Sequence, residues 1–257
     1  DGWVGHELTK AVLRGIQHSI TRRALDARRV RGDAASLSAG RQAGREFGVS
    51  ASAGLKMRPT RIERSVSRWA EGSALITSGG TKVLVTATVL PEPPPFLAGT
   101  GSGWITAEYG MLPRSTRDRK RRPQSSGRPD GRSLEIQRLV GRSLRQTCEL
   151  GYLKGRCILL DCDVIEADGG TRIAAVNAGV VAAVEALVWM KRKKIIPGVP
   201  MKGLVAGASV VWRAGEAVLD PDYESDSSAE ADMNAVFMES GDMVELQMTG
   251  ERAAVPE

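Results

Sequence analysis

From about Thr171 to Met190 the sequence describes a helix that is apolar nearly all round, with Ile173, Val176, Val180, Val184 and Leu187 among its apolar positions. Such a helix has no face to turn toward water, so other elements must cover it on all sides. The basic run Lys191-Arg192-Lys193-Lys194 follows it and suits the negative end of its dipole. A second helix precedes it, with Ile136, Val140, Leu144 and Cys148 recurring at i+4 and Glu135, Arg138, Arg142 and Glu149 on the wet side; Asp130 or Ser133 can cap it.

The remaining regular segments are strands. Three runs lie between Arg61 and Leu90, the last two joined as a hairpin through Ser78-Gly79-Gly80, and another covers Trp104–Tyr109. Cys157–Ile165 alternates, with Leu160, Cys162 and Val164 on one face and Asp161 and Asp163 on the other. Four more strands are expected near Leu204–Trp212, Glu216–Leu219, Asn234–Met238 and Val244–Met248. Strands, two central helices, then strands again make an α+β fold. No stretch is apolar throughout over the roughly 18–20 residues of a membrane span, so no membrane contact is expected.

Ahead of Met57 the pattern is different. Residues 1–56 are rich in Arg, Ala, Ser and Gly, and regular structure begins at Met57, which also reads as a native start. The preceding segment is then a disordered or non-native extension, or an Arg-rich targeting segment. It carries most of the formal net charge of +6, so that charge says little about the folded part. Cys148, Cys157 and Cys162 lack CxxC spacing and are remote from His6 and His18, which speaks against a zinc site and for reduced thiols in a cytoplasmic protein.

Local charge segregation is more informative. The loop from Arg114 to Arg132 holds Arg114, Arg117, Arg119, Lys120, Arg121 and Arg122 in its first half, a candidate grip on an RNA backbone. Aromatic residues are only 4% of the chain, which argues against base stacking as the main binding mode. Asp220 to Asp232 is purely acidic, and Asp226 and Asp232 within it are candidates for a magnesium site or a general acid. Gly169-Gly170-Thr171-Arg172 joins a strand to the buried helix. Glycines allow a sharp turn and close approach to a ligand, the helix start offers unpaired N–H groups, and Arg172 adds a fork of donors. The alternative is a plain β–α corner with a surface Arg. Gly131-Arg132-Ser133 repeats the same logic before the other helix, so two guanidinium groups could share one phosphate.

Read in order, Gly103-Trp-Ile-Thr-Ala-Glu-Tyr-Gly-Met-Leu-Pro-Arg114, Leu134-Glu-Ile-Gln-Arg-Leu139, Asp161-Cys-Asp-Val164, Ala167-Asp-Gly-Gly-Thr-Arg172, Met201-Lys-Gly-Leu204, Asp222-Tyr223 and Ala229-Glu-Ala-Asp-Met-Asn234 resemble the ribonuclease PH family. The resemblance runs from about Met57 to Thr249. It implies the ribonuclease PH / ribosomal protein S5 domain 2-like fold in one catalytic domain over 57–257, with mixed sheets packed on central helices. It further implies a homo-oligomer, a hexameric ring built as a trimer of dimers. The implied reaction uses inorganic phosphate as co-substrate, trims the 3′ end of tRNA and possibly rRNA, and releases nucleoside diphosphates. By motif match Arg132, Gly170, Thr171 and Arg172 bind phosphate, Asp226 and Asp232 are catalytic and hold Mg2+, and the basic loop contacts tRNA. A non-catalytic RNA-binding ring subunit of exosome type is the alternative.

Three departures from the family pattern accompany the resemblance. Asp130 stands where the family has Gly, placing a carboxylate near the proposed phosphate. Ile173 stands where the family usually has Thr. The family's C-terminal helix is not in this sequence, and its loss would expose apolar surface.

Overall fold

The computed structural model describes residues 57–122 and 130–252. The expected N-terminal extension over 1–56 lies outside them. Two sheets enclose a layer of two long helices. The first sheet has five strands: β1 (Thr60–Arg64), β2 (Gly72–Ser78), β3 (Thr81–Leu90), β4 (Trp104–Met111) and β5 (Cys157–Glu166), in spatial order β1-β2-β3-β5-β4. All neighbours are antiparallel except β4 and β5, which the intervening helix α1 (Gly131–Arg145) makes parallel. The second sheet is antiparallel and built from β6 (Val205–Arg213), β7 (Glu216–Leu219), β8 (Ala231–Met238) and β9 (Met243–Gly250), in spatial order β7-β6-β8-β9.

The helix between β5 and β6, α2 (Thr171–Arg192), is the centre of the packing. It lies against β2, β3 and β5 on one side and β6 on the other, with α1 beside it. Strand alternation supplies the lid: Val83, Val85 and Ala87 of β3 and Leu160, Cys162 and Val164 of β5 all face inward and are buried. At 22 residues α2 is long and apolar enough to cross a membrane, contrary to the expectation that no such stretch exists, but 83% of its apolar window is buried inside the protein. It is a core helix.

Its two polar interruptions both have partners. Asn177 exchanges two hydrogen bonds with Gly207 of β6: the Gly207 N–H donates to Asn177 Oδ1 at 2.8 Å, and Asn177 Nδ2 donates back to the Gly207 carbonyl at 3.2 Å. Glu185 accepts from the Ser73 N–H and the Ser65 hydroxyl, holding the start of β2. A buried polar group so satisfied costs little and fixes register.

Some details differ from the sequence reading. Cys148 is not part of α1, which ends at Arg145; instead Cys148 bridges to Met201 and is buried. A helix of five residues, α3 (Tyr223–Ser227), occupies the acidic segment, too short for apolar periodicity to betray it. Strand β9 leaves Met243, Leu246 and Met248 about half exposed.

Gly72 is the tightest test of this packing. A Cβ there would sit 2.1 Å from the Ala182 carbonyl oxygen and 2.8 Å from the Ala186 nitrogen, both helix backbone. Gly72→Ala should therefore lower the unfolding free energy by about 3 kcal/mol or more, because β2 or α2 must move away. Urea unfolding monitored by circular dichroism reads this directly.

Candidate functional site

The N-terminus of α2 opens into a cleft of about 310 Å³. Gly170, in left-handed conformation at φ 65°, precedes the helix, and no side chain caps it. The first-turn N–H groups, which have no acceptor one turn back, are left at the cleft wall with the positive end of the dipole. The Thr171 hydroxyl meets the Tyr109 hydroxyl, which donates to it at 2.9 Å in the interior. A hydroxyl that accepts from Tyr109 keeps its own proton for another acceptor. Burial pushes the Tyr109 phenol above its usual range, so it remains a donor.

Both arginines reach this cleft. Arg172 lies in the first turn of α2, mostly buried, with Nη1 donating to Gln247 at 3.3 Å and Nη2 lying 3.6 Å from Glu135. Arg132 lies in the first turn of α1, inside the helix where the sequence reading had it just before, and lines the cleft from an exposed position. Asp130, whose carboxylate was expected near the phosphate, does not line the cleft. It caps α1, accepting from the Ser133 N–H at 2.7 Å and the Ser133 hydroxyl at 3.0 Å, and these bonds hold its pKa below the usual carboxylate range.

The carboxylates arrive from the other half of the chain. Asp226 sits on α3, half-buried, and Asp232 near the start of β8. Burial raises the Asp226 pKa; Arg132 pulls it back down and Asp232 pushes it up. Asn234 donates to Asp232 Oδ2 at 3.1 Å and is itself oriented by Ser209, whose hydroxyl donates to Asn234 Oδ1 at 2.7 Å. Asp232 Oδ1 is left buried without a hydrogen-bond partner. An orphaned buried oxygen beside a second carboxylate suits a proton or a hard cation that keeps waters of its own.

Other expectations separate here. Of the six candidate RNA-gripping residues from Arg114 to Arg122, Lys120 lines the cleft, with Thr116, while Arg114, Arg117, Arg119, Arg121 and Arg122 are exposed outside it; Arg128 lies outside the described residues. The root of that loop is tied to the turn, the Ala167 N–H donating to the Ser115 carbonyl at 2.8 Å. Asp161 and Asp163 are on the outer face of the first sheet and do not line the cleft. Sequence reasoning missed Tyr109, Ser209, Asn234 and Gln247, whose roles depend on pairings between distant segments.

The 3′ exoribonuclease family, domain 1, matches residues 56–188, and its domain 2 matches residues 203–257. The chain belongs to the ribonuclease PH family. It is 49% identical over 202 residues to the Ribonuclease PH of Methylocella silvestris, covering 79% of this chain and 85% of that protein. It is 50% identical over 196 residues to that of Methylobacterium radiotolerans, covering 76% and 83%. The fold matches an Archaeoglobus fulgidus exosome with RNA bound to the active site (TM-score 0.65, 23% identity, 79% of this chain and 81% of that one). It also matches rice Rrp46 (TM-score 0.61, 21% identity, 76% and 82%). Within the family match, both arginines and the glycine turn come from the first domain and both aspartates from the second, so the cleft lies on the seam between them.

Asp226 carries a stability signature. Its folded pKa is raised, so its ionised form costs stability above that pKa, and the cost vanishes below the unfolded value, where both states are protonated. Asp226→Asn, without phosphate or divalent cation, should melt no lower than the parent at pH 8, and any gain should fade toward pH 4. A melting series across pH checks this; a variant that loses stability as pH rises contradicts it.

Proposed function

We propose that this chain degrades RNA from the 3′ end by phosphorolysis and that the cleft at the start of α2 is where this happens. One observation carries the reading: two guanidinium groups, an uncapped helix N-terminus and two carboxylates from the other domain line a single cleft. Two positive groups beside unpaired N–H donors suit an anionic nucleophile that must approach an anionic substrate.

In this reading inorganic phosphate rests on Gly170, Thr171 and Arg172, with Arg132 reaching it from α1. Phosphate presents an oxygen to the phosphorus of the terminal 3′–5′ linkage. The new P–O bond forms as the bond to the 3′ oxygen breaks, that oxygen takes up a proton, and a nucleoside diphosphate leaves. Fixed arginines lower the repulsion between the two anions and hold the attacking oxygen in line. Asp226, with its raised pKa, and Asp232, with Oδ1 unpaired, would divide two tasks: one would hold the proton for the leaving oxygen and the other would hold Mg2+, which would offset charge on the phosphoryl oxygens when bound.

The exposed arginines of the loop after β4 would grip the RNA backbone outside the cleft, with the 3′ end of tRNA as the preferred substrate. We further place the protein in the cytoplasm, as its three free buried thiols favour, and assign it a homo-oligomeric ring, a hexamer by family analogy. The non-catalytic alternative gains nothing from the site, where all four charged residues converge.

The deciding assay uses the purified chain and a tRNA carrying extra 3′ nucleotides. Nucleoside diphosphates should appear only with both phosphate and magnesium; monophosphates released without phosphate would overturn the reading. Arg172→Ala should raise the KM for phosphate by roughly 10–100-fold while leaving RNA affinity nearly unchanged. Asp232→Asn should abolish turnover and keep a cooperative melting transition.

A further inference from the structure

The glycine turn that would hold phosphate is not self-supporting. Gly169 and Gly170 have φ of 76° and 65°, a conformation glycine adopts freely but also leaves freely. Something outside the turn must hold it, and three segments do. From β3, the Thr81 hydroxyl accepts from the Asp168 N–H at 2.9 Å and donates to the Gly169 carbonyl at 2.6 Å. At the first residue of α3, the Tyr223 N–H donates to Asp168 Oδ1 at 3.2 Å. Ahead of β1, Arg58 Nη1 donates to the Asp168 carbonyl.

Arg58 is itself anchored. Its Nη2 donates to Asp220 Oδ1 at 2.7 Å, while Nε at 3.1 Å and the backbone N–H at 3.0 Å share Asp220 Oδ2. Both side chains are largely buried, at 17% and 12% exposure. Asp220 is in turn held to the second sheet, its N–H donating to the Ser209 carbonyl of β6 at 2.8 Å. The clamp therefore joins the segment before β1, the turn before α2 and the second sheet, across a sequence separation of 162 residues. It also spans the two matched family domains.

We infer that Arg58 and Asp220 are positioning residues that set the affinity for inorganic phosphate by clamping the Asp168-Gly169-Gly170 turn, without touching the phosphate. This rests on the assignment of that turn as the phosphate cradle. The forked guanidinium–carboxylate pair is directional, so it fixes where the Asp168 carbonyl lies. The N–H groups one and two residues further on follow from that carbonyl's position. Gly170 is packed against the clamp: a Cβ there would lie 3.2 Å from Arg58 Nη2 and 3.6 Å from Asp220 Oδ1. A cradle displaced by about 1 Å would move its N–H groups out of the narrow range of distance and angle in which they bind phosphate strongly.

The test compares the parent with Arg58→Met, Arg58→Lys, Asp220→Asn and, as reference, Arg172→Ala. Asn is the conservative partner at 220, because φ there is 49° and Asn tolerates left-handed backbone. Each protein is assayed for KM of phosphate, KM of RNA and kcat, and for the rise in melting temperature caused by inorganic phosphate alone. Arg58→Met should raise the phosphate KM roughly tenfold, with RNA KM and kcat at saturating phosphate within about threefold. Arg58→Lys, which keeps the charge but not the fork, should fail to rescue it. Asp220→Asn, which keeps one acceptor oxygen, should show a smaller rise, and phosphate should stabilise every clamp variant less than the parent.

If Arg58→Met does not fold, Arg58→Lys and Asp220→Asn decide: an unchanged phosphate KM and an unchanged phosphate-induced shift overturn the clamp. A parallel loss of RNA affinity, phosphate affinity and melting temperature also overturns it, since that is what general loosening would produce. If Arg172→Ala leaves the phosphate KM unchanged, the cradle assignment itself fails. If Arg172→Ala raises it and the clamp variants do not, only the clamp fails.

Discussion

Burial of α2 is the constraint on which the rest of this molecule depends. A helix of this length with apolar side chains on every side needs a lid on each, and the two sheets and α1 are those lids. Each large aliphatic side chain fully withdrawn from water contributes about 1.5–3 kcal/mol. Val176, Val180 and Leu187 are all fully buried, so displacing either sheet from α2 would forfeit a large part of a stability that is itself only about 5–15 kcal/mol. The polar exceptions within α2 reinforce the arrangement, because Asn177 and Glu185 each bind backbone of a different sheet.

That burial also decides where chemistry can happen. A core helix has its flanks covered, so only its ends can meet solvent, and here the N-terminal end meets a cleft. Positive potential from the helix and from Arg172 and Arg132 then faces carboxylates delivered by the second sheet. The opposing charges keep each other in check: burial lifts the Asp226 pKa, while Arg132 offsets part of that lift. The cleft is built between the two halves of the chain, so its geometry depends on how accurately the sheets are held together. Arg58 and Asp220 do this directly behind the glycine turn.

Much of this was legible beforehand, for identifiable reasons. Helix α2 was readable because apolar residues recur without a wet face, and β5 because Leu160, Cys162 and Val164 alternate with Asp161 and Asp163. Periodicity is a local property and survives in one dimension. The candidate residues Arg132, Gly170, Thr171, Arg172, Asp226 and Asp232 were legible as residue types in suggestive places, and the structure brings all six to one cleft. Short elements were not readable: α3 has five residues, less than two turns, and no period to detect.

The roles of the supporting residues were also hidden. Thr171 could have capped its helix, and only the approach of Tyr109 on β4 shows its hydroxyl engaged elsewhere. Asp130 was a candidate cap that could also have repelled a phosphate, and the geometry at Ser133 decides for the cap. Arg58 looked like any basic residue near the start of the folded part. By itself the sequence determined the long elements, their faces, the family and the chemical types at the site, since these follow from local pattern and ordered motifs. Tertiary structure alone decided which donors face the cleft, which carboxylate oxygen stays unpaired and what clamps the glycine turn. A hydrogen bond requires two groups to meet in space, and most of these partners lie between 30 and 162 residues apart, where no local pattern connects them.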